Sequence, residues 1–398
     1  MTAAAIGTKK EESRALGVAC GAHALHDGYT DLVYVMLPIW QAEFGLGFAA
    51  LGLMKTVFSG TLAGFQIPAG FLAERFGTAT VLALGTALAG LGYVFAGLST
   101  GVITLVAALF IGGLGASTQH PLGSSLIAHA FAGSRSLKAL GTYNFAGDIG
   151  KMTLPAAAAL LFVVLPWRQA LMLLGSFGAA AAVAIFIAIP RFADRGSAAP
   201  RKSDGKAHRH GVARAYGFPL LLSIGVIDSA TRMAFLTFLP FMLTAKGASL
   251  QTVGLALTLV FAGGAAGKLV CAFIGARIGV VATVWLTETV TALGIVALLP
   301  LPLEAALVLL PVVGVALNGT SSVLYGSVPD LVEPARRRRA FSIFYTGTIG
   351  AGAISPAIYG LLGDAVGVPT ALIVVAALVL VTLPVTLVLR PVLAAQTS

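Results

Sequence analysis

Apolar runs of membrane-spanning length follow one another almost without pause along this chain. A helix that crosses the hydrocarbon core needs roughly 20 mostly apolar residues. By that measure the pattern predicts twelve spans, at about 15–41, 48–73, 78–99, 101–131, 137–164, 167–190, 216–244, 250–274, 279–301, 303–329, 340–363 and 369–390. Strands of a membrane barrel would alternate apolar and polar residues over about 10 positions, and these runs do not. The start, Met1 to Arg14, is polar. The first apolar segment is too long and too polar for the core of a secretory signal, so a true first helix is expected there. The fold class expected is an all-α membrane protein.

Composition agrees, with 58% hydrophobic and only 10% charged residues. The net charge of +10 would suit nucleic acid, but its placement argues otherwise. With the N-terminus inside, nineteen basic residues fall on the cytoplasmic side, from Lys9 and Lys10 through the Arg336–Arg339 run to Arg390. Only Arg168 and Lys246 fall on the outer side. The positive-inside rule then puts both termini in the cytoplasm. The arginine run reads as a topology signal and lipid-headgroup contact. Cys20 and Cys271 sit inside predicted helices without a CxxC spacing and read as packing residues.

One long polar stretch, Arg191 to Arg214, interrupts the pattern and holds Pro200, Gly205, His208 and His210. It reads as a cytoplasmic linker, so the expected domains are 1–190, a linker 191–215, and 216–398. The flanking halves repeat one another. Leu37-Pro38 recurs as Leu239-Pro240, Gly52-Leu53 as Gly254-Leu255, Thr56 as Thr258, Arg75 and Gly77 as Arg277 and Gly279, and Gly112 as Gly314, each 202 positions on. Such a parallel six-plus-six repeat resembles that of major facilitator transporters. That resemblance implies two six-helix bundles with a substrate site between them near the midplane.

The run Gly70-Phe71-Leu72-Ala73-Glu74-Arg75-Phe76-Gly77 is similar to the loop 2–3 signature of that superfamily, with Glu74 in place of Asp and without the trailing basic residues. The resemblance implies a gating latch at Glu74 and Arg75. The second copy, Gly275 to Gly279, lacks the acid. Helix one reads Ala22-His23-Ala24-Leu25-His26-Asp27, and helix four contains Gln119-His120-Pro121. Together they resemble the fosmidomycin-resistance family of bacterial exporters, in the His-x-x-x-Asp element and the His-Pro. Helix five, Gly147 to Pro155, follows that family's glycine-and-proline framework but carries Asp148 and Lys151 where uncharged residues are usual. The resemblance implies a drug-resistance type exporter or antiporter, monomeric, in the bacterial inner membrane.

Nine charges lie inside predicted spans: Asp27, Asp31, Lys55, Asp148, Lys151, Asp228, Arg232, Lys268 and Glu288. Charge at bilayer depth costs several kcal/mol, and such residues line a water-filled path, pair, or touch a polar substrate. Spacing suggests the pairs Asp228–Arg232, Asp148–Lys151 and Asp31–Lys55, each either a strut or a switch. In helix one, His23, Asp27, Thr30 and Tyr34 share a face. Asp27 is the expected proton carrier, with His23 one turn away on the same helix, assisted by His120 and Asp31. His120 could instead bond a carbonyl freed by Pro121. His26 is expected to face a neighbouring helix, and His129 to be a boundary residue.

The cations set the sign of the solute. Lys55, Lys151 and Arg232 favour an anionic group, Arg232 offering a bidentate fork. Lys268 is placed to snorkel, and Glu288 to pair with a neighbouring helix. Asp148, Asp228, Tyr34, Gln119, Tyr143, Asn144 and Asn318 complete the polar candidates. The function expected is secondary active, proton-coupled transport of a small organic anion, with no cofactor, no resident metal and no nucleic-acid partner. Alternatives are an importing symporter of an organic anion, a metal-ion or metal-chelate carrier using His23, Asp27 and His120, and an intramembrane metalloenzyme. The enzyme lacks HExxH spacing and any Ser or Cys nucleophile motif.

Overall fold

The structure is a computed structural model and describes residues 8–131, 134–190, 213–333 and 336–394. Most of the expected linker, with Gly205, His208 and His210, lies outside the described residues. Those residues form fifteen α-helices and no strand. In chain order they begin with α1 (Lys9–Phe44), α2 (Phe48–Gly64), α3 (Gln66–Phe76), α4 (Thr78–Leu98) and α5 (Val102–Ala116). Next come α6 (Gln119–Ala130), α7 (Ser134–Val164), α8 (Trp167–Ala188), α9 (Ala213–Ala245) and α10 (Leu250–Ile278). The last five are α11 (Val280–Leu298), α12 (Leu303–Leu331), α13 (Arg337–Val366), α14 (Val368–Val379) and α15 (Thr382–Ala394).

Fifteen helices serve twelve predicted spans because three spans are broken. The breaks follow α2 at Gly64, α5 at Ala116 and α14 at Val379. Pro68, Pro121 and Pro384 lie four or five residues further on. A proline inside a helix removes one amide donor, and its ring collides with the carbonyl four residues back. At the middle break Ser117 and Thr118 bond the preceding carbonyls of Leu114 and Gly115, at 2.7 and 3.0 Å. Hydroxyls of this kind satisfy carbonyls that the helix has released. Helices α2 and α3 meet at a bend of 44°.

Ten spans among the described residues are long and apolar enough to cross a membrane, and the bent α2–α3 pair makes an eleventh. The expected first span falls in α1, which does not meet that measure of apolarity but whose 36 residues would reach about 54 Å at 1.5 Å each. It is less apolar because Asp27 and Asp31 interrupt it. Thr8 and Glu11 form a capping box at its start, and Gly45, at φ 63°, ends it in the left-handed region.

Contacts divide the chain into two compact units. The first runs to Leu46, resumes from Met54 through α8, and includes Leu250–Thr258. The second takes Gly47–Leu53, α9 to Ser249, and the chain from Leu259 onward. In the first unit α1 packs on α7, and α4 packs on α5 and α8. In the second, α9 packs on α13, and α11 packs on α12 and α14. The same neighbours thus recur in each unit, as the repeat predicts.

Small residues permit the close approaches, as in other membrane bundles. A Cβ on Gly150 would run into the Ala24 backbone, one on Gly90 would meet Gly175 and Gly178, and one on Gly263 would meet Pro311. Leu82, Leu126 and Ile127 centre one core in the first unit. Leu221, Ile224 and Leu324 centre one in the second.

Charged side chains tie helix ends together. Arg14 donates to the Ala188 and Ile187 carbonyls at the end of α8, at 3.1 and 3.4 Å, where cations suit the helix dipole. Arg135 pairs with the buried Glu12. Lys246 donates to the carbonyls of Leu299 and Leu301, both at 2.7 Å. Arg168 bonds Glu43 at 2.8 Å and holds that exposed carboxyl below the usual carboxylate range.

Candidate functional site

A polar cluster lies inside the first unit where α1, α6 and α7 meet. Asp27 is its centre. Asp27 Oδ2 lies 3.3 Å from Lys151 Nζ on α7, and Oδ1 lies 3.4 Å from His23 Nε2 and 3.6 Å from His26 Nε2. Asp27, His23 and His26 are buried, while the Lys151 side chain keeps 30% of its surface exposed. One partner of the ion pair is therefore enclosed and the other reaches outward.

The imidazoles are oriented by their neighbours. His23 Nδ1 lies 2.8 Å from the Tyr143 carbonyl, and that oxygen accepts the ring N–H. In a neutral ring this leaves Nε2 with its lone pair toward Asp27. The Tyr143 ring stacks on His23 with centroids 4.0 Å apart, and its hydroxyl donates to the Gln119 carbonyl at 3.4 Å. His120 Nε2 faces His26 Nε2 at 3.3 Å, and the two rings cross edge to face. The ligand atoms of His23, Asp27 and His120 all lie within 4.8 Å of one another. His26 and Gln119 also line a cavity of about 10 Å³, the scale of one water molecule.

Glycines on α7 let this cluster form. Gly150 faces Ala24, Gly28 faces Leu154, and a Cβ on Gly147 would come 2.5 Å from Asp27 Oδ2 and 2.8 Å from His23 Cε1. Gly147→Ala is expected to push Asp27 and His23 apart from their partners and cut flux. Thermal stability should change little, because side chains can yield and Ala gains helix propensity of about 1 kcal/mol over Gly. Gly150→Ala is the contrast: its methyl would meet backbone, so the thermal transition itself should fall. Melting in detergent beside vesicle uptake separates the two.

Two contacts go beyond what the sequence offered. Lys151 pairs with Asp27 across the tight α1–α7 interface, a partner that spacing along α7 did not offer. Asp27 therefore has a cation across the helix interface, which same-helix spacing could not reveal. His120 meets His26 rather than a carbonyl freed by Pro121. Lys55 is buried, donates to the Thr30 carbonyl at 2.7 Å, sits 4.4 Å from the Tyr34 ring centre and feels the charge of Asp31. His129 stays local, 2.8 Å from the Ser125 carbonyl.

In the second unit Asp228 of α9 and Glu288 of α11 are both buried, within electrostatic reach of each other and of Arg232. Asn318 donates to the Gly314 carbonyl at 3.2 Å. Asp148 is buried on α7, and Lys268 is half-buried on α10. Glu74 and Arg75 are exposed on α3, Arg75 lying over the Phe76 ring at 5.4 Å.

Comparisons with known proteins bear on the family and the fold. A model of the Major Facilitator Superfamily matches residues 19–219 and 220–398. The fosmidomycin resistance protein of Escherichia coli (strain K12) is 26% identical over 374 residues, 91% of this chain and 89% of that one. A probable 4-methylmuconolactone transporter of Cupriavidus pinatubonensis is 26% identical over 330 residues, 80% of this chain and 77% of that one. The crystal structure of a bacterial homologue of the human lysosomal transporter Spinster superposes with a TM-score of 0.81 at 17% identity, covering 98% of this chain and 100% of that one. Ten or eleven apolar spans among the described residues, an internal repeat reflected in the packing of each unit, and a family match along both halves lead to one conclusion: the chain belongs to the Major Facilitator Superfamily and is a multi-pass membrane transporter of small organic solutes, not an enzyme.

Proposed function

We propose that the chain is a proton-coupled carrier of a small organic anion, with Lys151 and Asp27 as its switching pair. The observation that carries this reading is the 3.3 Å ion pair between an enclosed carboxylate and a partly exposed ammonium. While Asp27 is ionised it occupies Lys151. A proton on Asp27 removes that claim, and the released ammonium favours an anionic solute. Proton and anion therefore assist each other's binding, which is reciprocal by linkage.

Co-binding favours movement of both in the same direction. That differs from the antiport implied by the resemblance to exporters, where proton and solute would compete for one site. Relatives named for anions support the solute class. A probable sulfoacetate transporter of Cupriavidus necator is 29% identical over 164 residues, 40% of this chain and 37% of that one. Arg232 and Lys55 are further cations in the proposal, with Asp31, Asp148, Asp228, Tyr34, Gln119, Tyr143 and Asn318 as polar contacts or relays. Glu74 and Arg75 serve as the latch. The basic-residue asymmetry supports cytoplasmic termini in a bacterial inner membrane.

Proteoliposomes with an imposed pH gradient test the coupling. Small carboxylates, sulfonates and phosphonates are expected to accumulate in vesicles whose outside is acid. Accumulation only when the inside is acid would establish antiport, and no response to either gradient would remove proton coupling.

A further inference from the structure

The cluster around Asp27 has a second chemistry that anion transport does not use. We infer that His23, His26, Asp27 and His120 form a binding site for one divalent transition-metal ion of the zinc class. With bonds of about 2.0–2.1 Å to nitrogen and carboxylate oxygen, a tetrahedral zinc site has ligand-to-ligand edges of about 3.3 Å. Three separations here match that edge: His26 Nε2 to His120 Nε2 at 3.3 Å, His23 Nε2 to Asp27 Oδ1 at 3.4 Å, and His26 Nε2 to Asp27 Oδ1 at 3.6 Å. The ligand atoms of His23, Asp27 and His120 fit within 4.8 Å of one another, so closure takes only small side-chain shifts.

The support around the ligands points the same way. Metal-binding histidines characteristically donate the second ring N–H to a carbonyl or carboxylate, which fixes the tautomer. His23 does this through Nδ1 to the Tyr143 carbonyl, and its Nε2 is buried without a hydrogen-bond partner. Imidazole nitrogen with one carboxylate selects zinc, cobalt, nickel or copper over magnesium and calcium, which prefer all-oxygen sites. Lys151 is the competitor. A dication and the Lys151 ammonium cannot both sit against one carboxylate, and the partial exposure of Lys151 gives it a way out. The ion would bind at the cost of that pair, joining α1 to α6.

The test uses the full-length protein in detergent, stripped with chelator and titrated with Co²⁺, whose absorption reports tetrahedral coordination, and then with Zn²⁺ in competition. One equivalent of Co²⁺ with visible ligand-field bands is expected, displaced by Zn²⁺. His23→Gln and His120→Gln should each weaken binding by more than the roughly 10- to 100-fold that loss of outer-shell support costs. His208→Ala with His210→Ala should leave it unchanged. Lys151→Met should tighten it, an outcome that does not depend on the histidine variants folding. No ligand-field bands in the native protein, full binding by the His23 and His120 variants, or weaker binding by Lys151→Met would each overturn the site. Because metal binding is read without transport, its failure is separate from failure of the anion proposal.

Discussion

Replacing Lys151 by Met is expected to weaken anion binding roughly 10- to 150-fold, the equivalent of the 1.5–3 kcal/mol that a hydrogen bond to a charged group contributes. Concentration-dependent counterflow in vesicles measures this directly. The single variant also strands Asp27, which is buried beside His23 and His26, so loss of stability would accompany loss of binding. The double variant Asp27→Leu with Lys151→Met separates these effects. Replacing a buried ion pair by apolar residues of similar size is often neutral or stabilising. The double variant should therefore fold as well as the native protein and still fail to carry the anion. Native transport by it would make the pair a strut.

Asp27→Asn is expected to retain counterflow and lose accumulation driven by a pH gradient. Asparagine resembles the protonated acid in shape and removes the charge that holds Lys151, so the anion site is open at every pH. What disappears is the coupling of that opening to a proton. The ratio of gradient-driven uptake to counterflow in the same vesicles should fall to that of passive exchange. If the Asp27→Asn variant still concentrates the anion, the proton travels elsewhere. The buried acids Asp228 and Glu288 are then the next place to examine.

The architecture was legible because lipid imposes it. Every span needs a run of apolar residues long enough to cross the core, and such runs are local features of the chain. The repeat was legible for the same reason, since Leu37-Pro38 and Leu239-Pro240 or Arg75 and Arg277 can be matched by offset alone. Even the three broken helices have local causes in Pro68, Pro121 and Pro384, although the position of a proline does not say which will break a helix. Pro38 and Pro155 stand inside continuous ones.

The partners of the buried charges were not legible. Spacing along one helix offered only Asp148 to Lys151, and the fold brings Asp27 to it from another helix. That contact depends on how close α1 comes to α7, which is set by Gly150 against Ala24 and Gly28 against Leu154. His26 carried no role in the sequence beyond facing a neighbour, and the fold aims it at His120. Glu288 comes within electrostatic reach of Asp228 although the two lie on different helices, α11 and α9, some sixty residues apart in the chain. A single sequence determines which residues are polar at a given depth. Ion pairs and hydrogen bonds form over about 3 Å, whereas helix periodicity leaves rotation and approach free by several times that, so only tertiary packing decides which polar groups meet.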